Sequence, residues 1–403
     1  MTGDRALICL YLGISLDMRI KENRDVGPNL SYILNTVMSM STAIRPFRID
    51  IPQSELDDLR RRLTETRWGA QLPGPGRSRG VPEAEVRDWA RYWVDDFDWL
   101  AQQARLNEFP QYLTEIDGLN VHFLHIRSTD PDALPLVLNH GWPNSFVEFT
   151  ELIPHLTKTF HVVVPSVPGY AFSDAPRETG FGVDRVARMW VELMARLGYD
   201  RYGVQGGDLG SYLAEAMAKA APEHVVGLYI TAGLGFPTAA DVPELTESER
   251  AAYQALMSAD WMHGVDHHAL LRSAPQTFGY GWNDSPAAAL AWMLQKFHDF
   301  SAAGALDESI DRDALLTNLS VYWFTRTFAT SSWSYYETSE SAWPTGSATV
   351  ATGVYCGDPG IRRLAERTAK ITHWPTGNPA GHHFIAMDQP AAYAADLRTF
   401  FAR

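Results

Sequence analysis

From about residue 119 onward, short apolar runs and amphipathic stretches follow one another in a regular rhythm. Val121-His122-Phe123-Leu124-His125-Ile126 alternates, Leu136-Val137-Leu138 and His161-Val162-Val163-Val164 are short apolar runs, and Val183 to Leu197 carries apolar residues at helical spacing. An extended run, Arg201 to Gln205, a helical stretch, Tyr212 to Ala220, and a further apolar run, Val225 to Ile230, continue it. Strand and helix in this order predict an α/β fold with a mostly parallel sheet and helices on both faces. Functional loops then belong at the C-terminal ends of the strands.

Two regions depart from the rhythm. In residues 44–116, Leu56, Leu59 and Leu63 form a helical stripe after Pro52, and the Pro/Gly-rich break Gln71 to Gly80 is followed by one or two helices over Val81 to Asn107. That second stretch carries Trp89, Tyr92, Trp93, Phe97 and Trp99, too aromatic for a free surface, and is expected to pack on the main body. Between about 234 and 343, helical patterns around Thr246 to Met257, Ser285 to Phe300 and Asp311 to Ala329 have no intervening strands. A helical insertion at this point predicts a lid over the strand ends. The parallel pattern returns with Thr349 to Tyr355, Ala369 to His373 and a closing helix, Pro390 to Phe401. The expected organisation is an uncertain leader or misassigned start (1–43), an N-terminal helical extension (44–116), the first part of the core (117–233), the lid (234–343) and the second part of the core (344–403). The apolar stretch Ala6 to Leu16 is well short of the ~20 residues that span a bilayer, and no basic segment or cleavage site frames it, so a cytoplasmic protein is expected.

Charge narrows the ligand. With 34 basic against 48 acidic side chains the formal net charge is -14, which opposes binding to nucleic acid or an anionic membrane and favours a small molecule. The 13 Trp, 16 Tyr and 18 Phe residues are enough to line an apolar pocket, and Trp142, Phe172, Trp282 and Trp333 are its expected wall. Cys9 and Cys356 offer no disulfide framework, consistent with a reducing compartment. The aromatic extension makes a homodimer a reasonable expectation.

Candidate chemistry sits at the predicted strand ends. Asp208 occupies Gly206-Gly207-Asp208-Leu209-Gly210-Ser211, a strand-to-helix turn with glycines two positions to either side, which can hold one side chain out above the helix N-terminus. His140-Gly141-Trp142-Pro143 follows one strand, Asp358 follows another, and His382-His383 precedes the last helix. Nucleophile, acid and histidine in this order form a hydrolase triad, and the N–H groups of Trp142 and Leu209 face the nucleophile as oxyanion donors. Simpler roles compete: Asp208 as a helix cap, Asp358 as a turn residue in Gly357-Asp358-Pro359-Gly360, Glu337 as an alternative acid, and His382 as the base instead of His383.

From about Ile44 to the C-terminus the chain resembles the microsomal-type epoxide hydrolases of the α/β-hydrolase fold. The resemblance is carried by RPFRIDIP at Arg45 to Pro52, DGLNVHFLHIRS at Asp117 to Ser128, NHGWPNSFVEF at Asn139 to Phe149, VVVPSVPGYAFS at Val162 to Ser173 and GYDRYGVQGGDLGS at Gly198 to Ser211. NDSP at Asn283 to Pro286, SYYE at Ser334 to Glu337 and GHHFIAMDQP at Gly381 to Pro390 complete it. The resemblance implies that Asp208 opens an epoxide to a glycol ester, that His383, oriented by Asp358, activates water to cleave it, and that no metal or cofactor is needed. A carboxylate suits this chemistry because alkylated aspartate is a hydrolysable ester, whereas alkylated serine would be an ether.

Several positions depart from the family pattern. Of two lid tyrosines that donate to the epoxide oxygen, one maps to Tyr335, while the other position holds His267. A histidine there can donate a hydrogen bond or a proton, Tyr335 can act alone, or Tyr280 can reach the pocket. His263 and His267, four apart around Asp266, also invite a metal reading, for which no third ligand has a supporting motif. Leu209 stands where the family has tryptophan, Asn144 where it has glycine, and the loop Trp374 to Ala380 is altered. The favoured activity is conversion of an apolar epoxide to a vicinal diol. A haloalkane-dehalogenase-like reaction and a non-catalytic binding protein on the same scaffold are the alternatives.

Overall fold

All six residues of Phe160–Pro165 are buried, and this continuous apolar run is what a strand covered on both faces requires. The computed structural model describes residues 43–74, 76–231, 234–256, 267–301, 310–337, 344–355, 360–379 and 382–402. The expected leader lies outside them.

The described strands are β1 (Arg45–Phe47), β2 (Gln111–Ile116), β3 (Leu119–Ile126), β4 (Leu134–Asn139), β5 (Phe160–Pro165), β6 (Tyr202–Gly206), β7 (Val225–Ile230), β8 (Ala351–Val354) and β9 (Lys370–His373). They form one sheet in the order β1-β2-β3-β5-β4-β6-β7-β8-β9. The first three strands pair antiparallel and β3 joins β5 antiparallel; from β5 to β9 every pairing is parallel. The helical pattern of residues 44–116 does not announce β1 and β2, because three and six residues at a sheet edge are too short to establish a period.

The helices of the extension are α1 (Gln53–Thr64), α2 (Glu83–Asp95) and α3 (Trp99–Leu106). In the core, α4 (Val183–Arg196) buries Val186, Ala187, Met189, Trp190, Leu193 and Met194, a stripe of the width that covers a sheet. Directly after β6 comes α5 (Leu209–Ala220). The lid comprises α6 (Glu247–Leu256), α7 (His267–Ser273), α8 (Pro275–Asp284), α9 (Pro286–Asp299), α10 (Arg312–Thr325), α11 (Thr327–Ser331) and α12 (Trp333–Glu337). Proline opens α8 and α9, where its missing N–H has no helical partner to lose. Asp311 caps α10 by accepting the Ala314 N–H at 3.1 Å. The chain closes with α13 (Pro390–Phe401).

The aromatic extension packs on the lid. Trp93 Nε1 donates to Ser320 Oγ at 3.0 Å, the Tyr92 hydroxyl donates to Asp313 at 2.9 Å, and the Arg62 guanidinium donates to the Asp284 carbonyl at 2.7 Å. Arg312 lies over the Trp89 ring and the Trp99 and Phe324 rings stand 4.9 Å apart. Residues far apart in the sequence therefore hold the lid helices in place. Toward the β9 edge of the sheet, His373 Nε2 lies 2.9 Å from Asp396 on α13, and the Tyr229 hydroxyl donates to the same carboxylate. This buried cluster fastens the closing helix to β7 and β9.

Candidate active site

The turn between β6 and α5 is built by close approach. A Cβ on Gly206 would stand 1.9 Å from the Gly210 carbonyl oxygen, and one on Gly210 would stand 2.0 Å from the Asn139 carbonyl oxygen. Only glycine lets strand and helix come this near. Asp208, between them, takes φ 50° and ψ -128°, a left-handed conformation of the kind that costs a non-glycine residue ~1–3 kcal/mol and persists where the surroundings impose it.

Two backbone donors converge on one oxygen of this carboxylate. The Trp142 N–H reaches Asp208 Oδ1 at 2.9 Å and the Leu209 N–H reaches the same atom at 2.6 Å. The other oxygen, Oδ2, lies 3.5 Å from His383 Nε2. Burial acts against ionisation of Asp208, but the His383 hydrogen bond and charge, with the two N–H groups, outweigh it and hold the carboxyl below the usual carboxylate range. The geometry divides the two oxygens: one is held by N–H groups and the other faces the His383 imidazole.

The neighbouring histidines have different surroundings. The His382 ring is almost fully buried, with Nε2 2.7 Å from the Phe297 carbonyl and Nδ1 accepting the Phe384 N–H at 3.1 Å. Both ring nitrogens thus serve the backbone, and burial pushes the imidazole down to about 3. His383 turns toward Asp208 instead; its N–H donates to the Phe300 carbonyl at 2.9 Å and its ring stands 5.0 Å from the Phe300 ring at the end of α9. Asp358 lies outside the described residues. Glu337, the alternative acid, accepts the Gly180 N–H at 3.0 Å at the outer edge of the lid.

His267 and Tyr335 come together from separate lid helices. His267 Nε2 lies 3.2 Å from the Tyr335 hydroxyl, and the His267 ring stacks on Trp142 at 5.5 Å with an interplanar angle of 18°. The Tyr335 ring meets Trp142 edge-on at 5.3 Å. Burial, followed by the Asp208 charge, raises the Tyr335 phenol well above its ordinary value, which keeps the hydroxyl protonated as a donor. His268 adjoins the pair, its ring 5.2 Å from that of Tyr335. Tyr280 is 70% exposed, on the outer face of α8. His263 and Asp266 lie outside the described residues.

The expected pocket wall divides. Trp142 is fully buried, with Nε1 donating to Ser331 Oγ at 3.1 Å, and Trp282 stands 6.5 Å from it. Phe172 is half-buried and packs against Phe47, His122 and Phe146, at 5.1, 5.4 and 6.2 Å, beside β1 and β3. Trp333 lines a cavity of about 580 Å³ between α12 and the chain after β5, and neither Asp208, Trp142, His383 nor Tyr335 is among the residues lining it. Asn144, in place of the family's glycine, is fully buried; its carbonyl accepts the Tyr322 hydroxyl at 2.5 Å and its side-chain amide meets Met387 Sδ at 3.1 Å.

Sequence reasoning gave no role to Glu148, which lies within the NHGWPNSFVEF segment. Its buried carboxylate accepts the Gly141 N–H at 3.3 Å, one residue before the Trp142 donor. Phe300, at the end of a lid helix, was likewise unassigned, since nothing in a helical pattern reveals that its terminal carbonyl will hold a distant loop.

A strained aspartate between a parallel strand and a helix, two backbone donors on one of its oxygens, a histidine at the other and a helical lid above define a hydrolase of the α/β-hydrolase fold. Residues 44–149 match the family model described as epoxide hydrolase N terminus, and residues 135–266 match that of the alpha/beta hydrolase fold. A Stigmatella aurantiaca protein provisionally named as an epoxide hydrolase is 39% identical over 375 residues, covering 89% of this chain and 84% of its own length. The juvenile hormone epoxide hydrolase of Bombyx mori is 33% identical over 330 residues, covering 74% and 72%. In structure, the silkworm juvenile hormone epoxide hydrolase matches with a TM-score of 0.80 at 30% identity, over 91% of this chain and 96% of that one. The Aspergillus niger epoxide hydrolase matches at 0.76 and 28%, over 90% and 97%. The chain belongs to the epoxide hydrolase family. It is a hydrolytic enzyme with a small-molecule substrate.

Proposed function

We propose that the protein converts an apolar epoxide to a vicinal diol through an ester on Asp208. The carrying observation is the division of labour within one carboxylate: Oδ1 accepts from Trp142 and Leu209, while Oδ2 stands on the His383 side. Oδ2 forms the bond to an epoxide carbon as the ring C–O bond breaks, and the departing oxygen takes a proton from Tyr335, with His267 as the second donor. Oδ1 then becomes the ester carbonyl, already held by two N–H groups.

In the second step His383 removes a proton from water, and the oxygen adds to Cγ of Asp208. Negative charge gathers on Oδ1, where each preorganised donor is worth on the order of 3 kcal/mol. Collapse expels the glycol oxygen, which takes the proton from His383, and the new carboxylic acid returns a proton to Tyr335. Asp358 is the acid we assign to orient His383. The aromatic surroundings, including Trp142 and Trp282, suit aryl or long-chain alkyl epoxides.

A single turnover in ¹⁸O water tests the scheme. The diol should form without label while the peptide containing Asp208 gains one ¹⁸O; direct entry of label into the diol would refute it. Halide release from haloalkanes without diol formation from any epoxide would favour dehalogenation instead. A cytoplasmic location, supported by the two-cysteine composition, and a homodimer complete the proposal, to be checked by cell fractionation and sedimentation. No helix among the described residues is long and apolar enough to cross a membrane.

A further inference from the structure

One buried carboxyl close to the reacting groups has no part in the scheme above. Glu148 sits in the 3-10 turn Phe146–Phe149, only 6% exposed. Its Oε2 accepts the Gly141 N–H at 3.3 Å, and the next N–H along the chain, that of Trp142, is one of the two donors to Asp208 Oδ1. The turn itself is pinned, since Ser145 Oγ accepts the Val147 N–H at 3.3 Å and donates to Asn318 on α10 at 2.7 Å. We propose that Glu148 is a positioning residue: in its neutral form it aligns the Gly141-Trp142 peptide for the oxyanion, and on ionising it opposes the negative charge that gathers on Asp208 Oδ1 during ester hydrolysis. This rests on the proposed Asp208 ester.

The surroundings place the charge change within a measurable range. Burial pushes the Glu148 carboxyl up to about 8; the Gly141 N–H and His383 pull it down, and Asp208 pushes it up. From α10 it faces Tyr322 and from α13 Tyr393, both raised well above the ordinary phenol value by burial, so neither changes charge near neutrality. On the short helix Ile385–Asp388, which packs against the same turn, the Asp388 carboxylate accepts the His382 N–H at 2.8 Å. His140, beside Gly141, is held neutral by burial, which lowers it to about 4.

Glutamine separates the two functions, because its amide oxygen can accept the Gly141 N–H and cannot ionise. In pre-steady-state kinetics across pH 6 to 10, wild-type ester hydrolysis should fall above about pH 8, by roughly tenfold at the alkaline end, while Asp208 alkylation should not. E148Q should hydrolyse the ester within about threefold of the wild-type rate at pH 7 and lose the alkaline fall. E148A, which leaves the loop unsupported, should slow hydrolysis by roughly 10- to 100-fold at every pH with KM little changed. An alkaline fall retained in E148Q, or wild-type hydrolysis in E148A, overturns the proposal. Circular dichroism of both variants checks folding, and E148Q supplies the decisive profile if E148A does not fold. Failure of the parent scheme is distinguishable, since wild-type Asp208 would then acquire no ¹⁸O.

Discussion

His267 Nε2 lies 3.2 Å from the Tyr335 hydroxyl, and both rings rest on Trp142, whose N–H holds Asp208. The lid therefore brings a histidine and a tyrosine together against the Trp142 ring. Y335F should lower kcat about 100-fold, and H267A about tenfold, if both donate to the departing oxygen. The double variant should cost less than the product of the two, because removing either partner disrupts the other. Strictly multiplicative losses in steady-state kinetics would indicate that the two groups act independently.

Tyr335 is kept protonated by burial and by the Asp208 charge. Alkylation of Asp208 should therefore show no alkaline loss attributable to the phenol below about pH 10, the ordinary tyrosine value. The pH dependence of single-turnover ester formation measures this directly. Replacement of His267 by tyrosine, the residue of the family pattern at this position, should preserve ester formation, measured by the same single-turnover assay.

His383 and His382 should respond oppositely to substitution. H383A should stop turnover and let a covalent adduct build up on Asp208, visible by mass spectrometry of the intact protein and absent in D208A. H382A removes a ring whose two nitrogens meet the Phe297 carbonyl and the Phe384 N–H. Leaving those backbone groups buried and unpartnered should cost ~1–3 kcal/mol of stability. Calorimetry should show a lower Tm for H382A and a nearly unchanged one for H383A.

Buried neutral histidines also set the acid side of stability. Burial lowers His122 and His382 to about 3 and His140 to about 4, against an ordinary value of 6.5. The unfolded chain takes up protons at these sites before the folded one does, so stability is fully present above about pH 6.5 and falls as pH drops toward 3. Urea midpoints measured over that range should decrease steadily toward acid. H382Q should flatten part of the slope.

The extension should matter to the lid more than to the sheet. Trp93 Nε1 donates to Ser320 Oγ inside the contact between α2 and α10. S320A would leave that buried indole N–H without its partner, at a cost of ~1–3 kcal/mol. Hydrogen exchange should quicken in α9 and α10 before it does in β4 to β7; uniform quickening would argue against a lid held by the extension.

Much of the site is legible in the sequence alone. A turn that needs glycine on both sides of one residue is a local requirement, and so Asp208 could be read from six consecutive letters; the close approaches at Gly206 and Gly210 give its cause. Strands β4, β5 and β7 were equally plain, because strands buried on both faces carry short apolar runs, whereas β6 (YGVQG) was marked by its place before the glycine-framed turn. His382 and His383 were not separable on chemical pattern, since adjacent histidines in an irregular loop carry no period, and the choice followed from motif position.

What the sequence by itself determined is therefore the set of local necessities: the parallel rhythm, the glycine-framed carboxylate, the helical insertion and the substitution at His267. The tertiary structure decided which groups meet. It brought His267 to Tyr335, packed Phe172 against Phe47 of β1, seated the extension on the lid and buried Glu148 beside the Gly141-Trp142 peptide. Each of these depends on contacts between residues far apart in the chain, where packing and desolvation, which no local pattern encodes, set both position and charge.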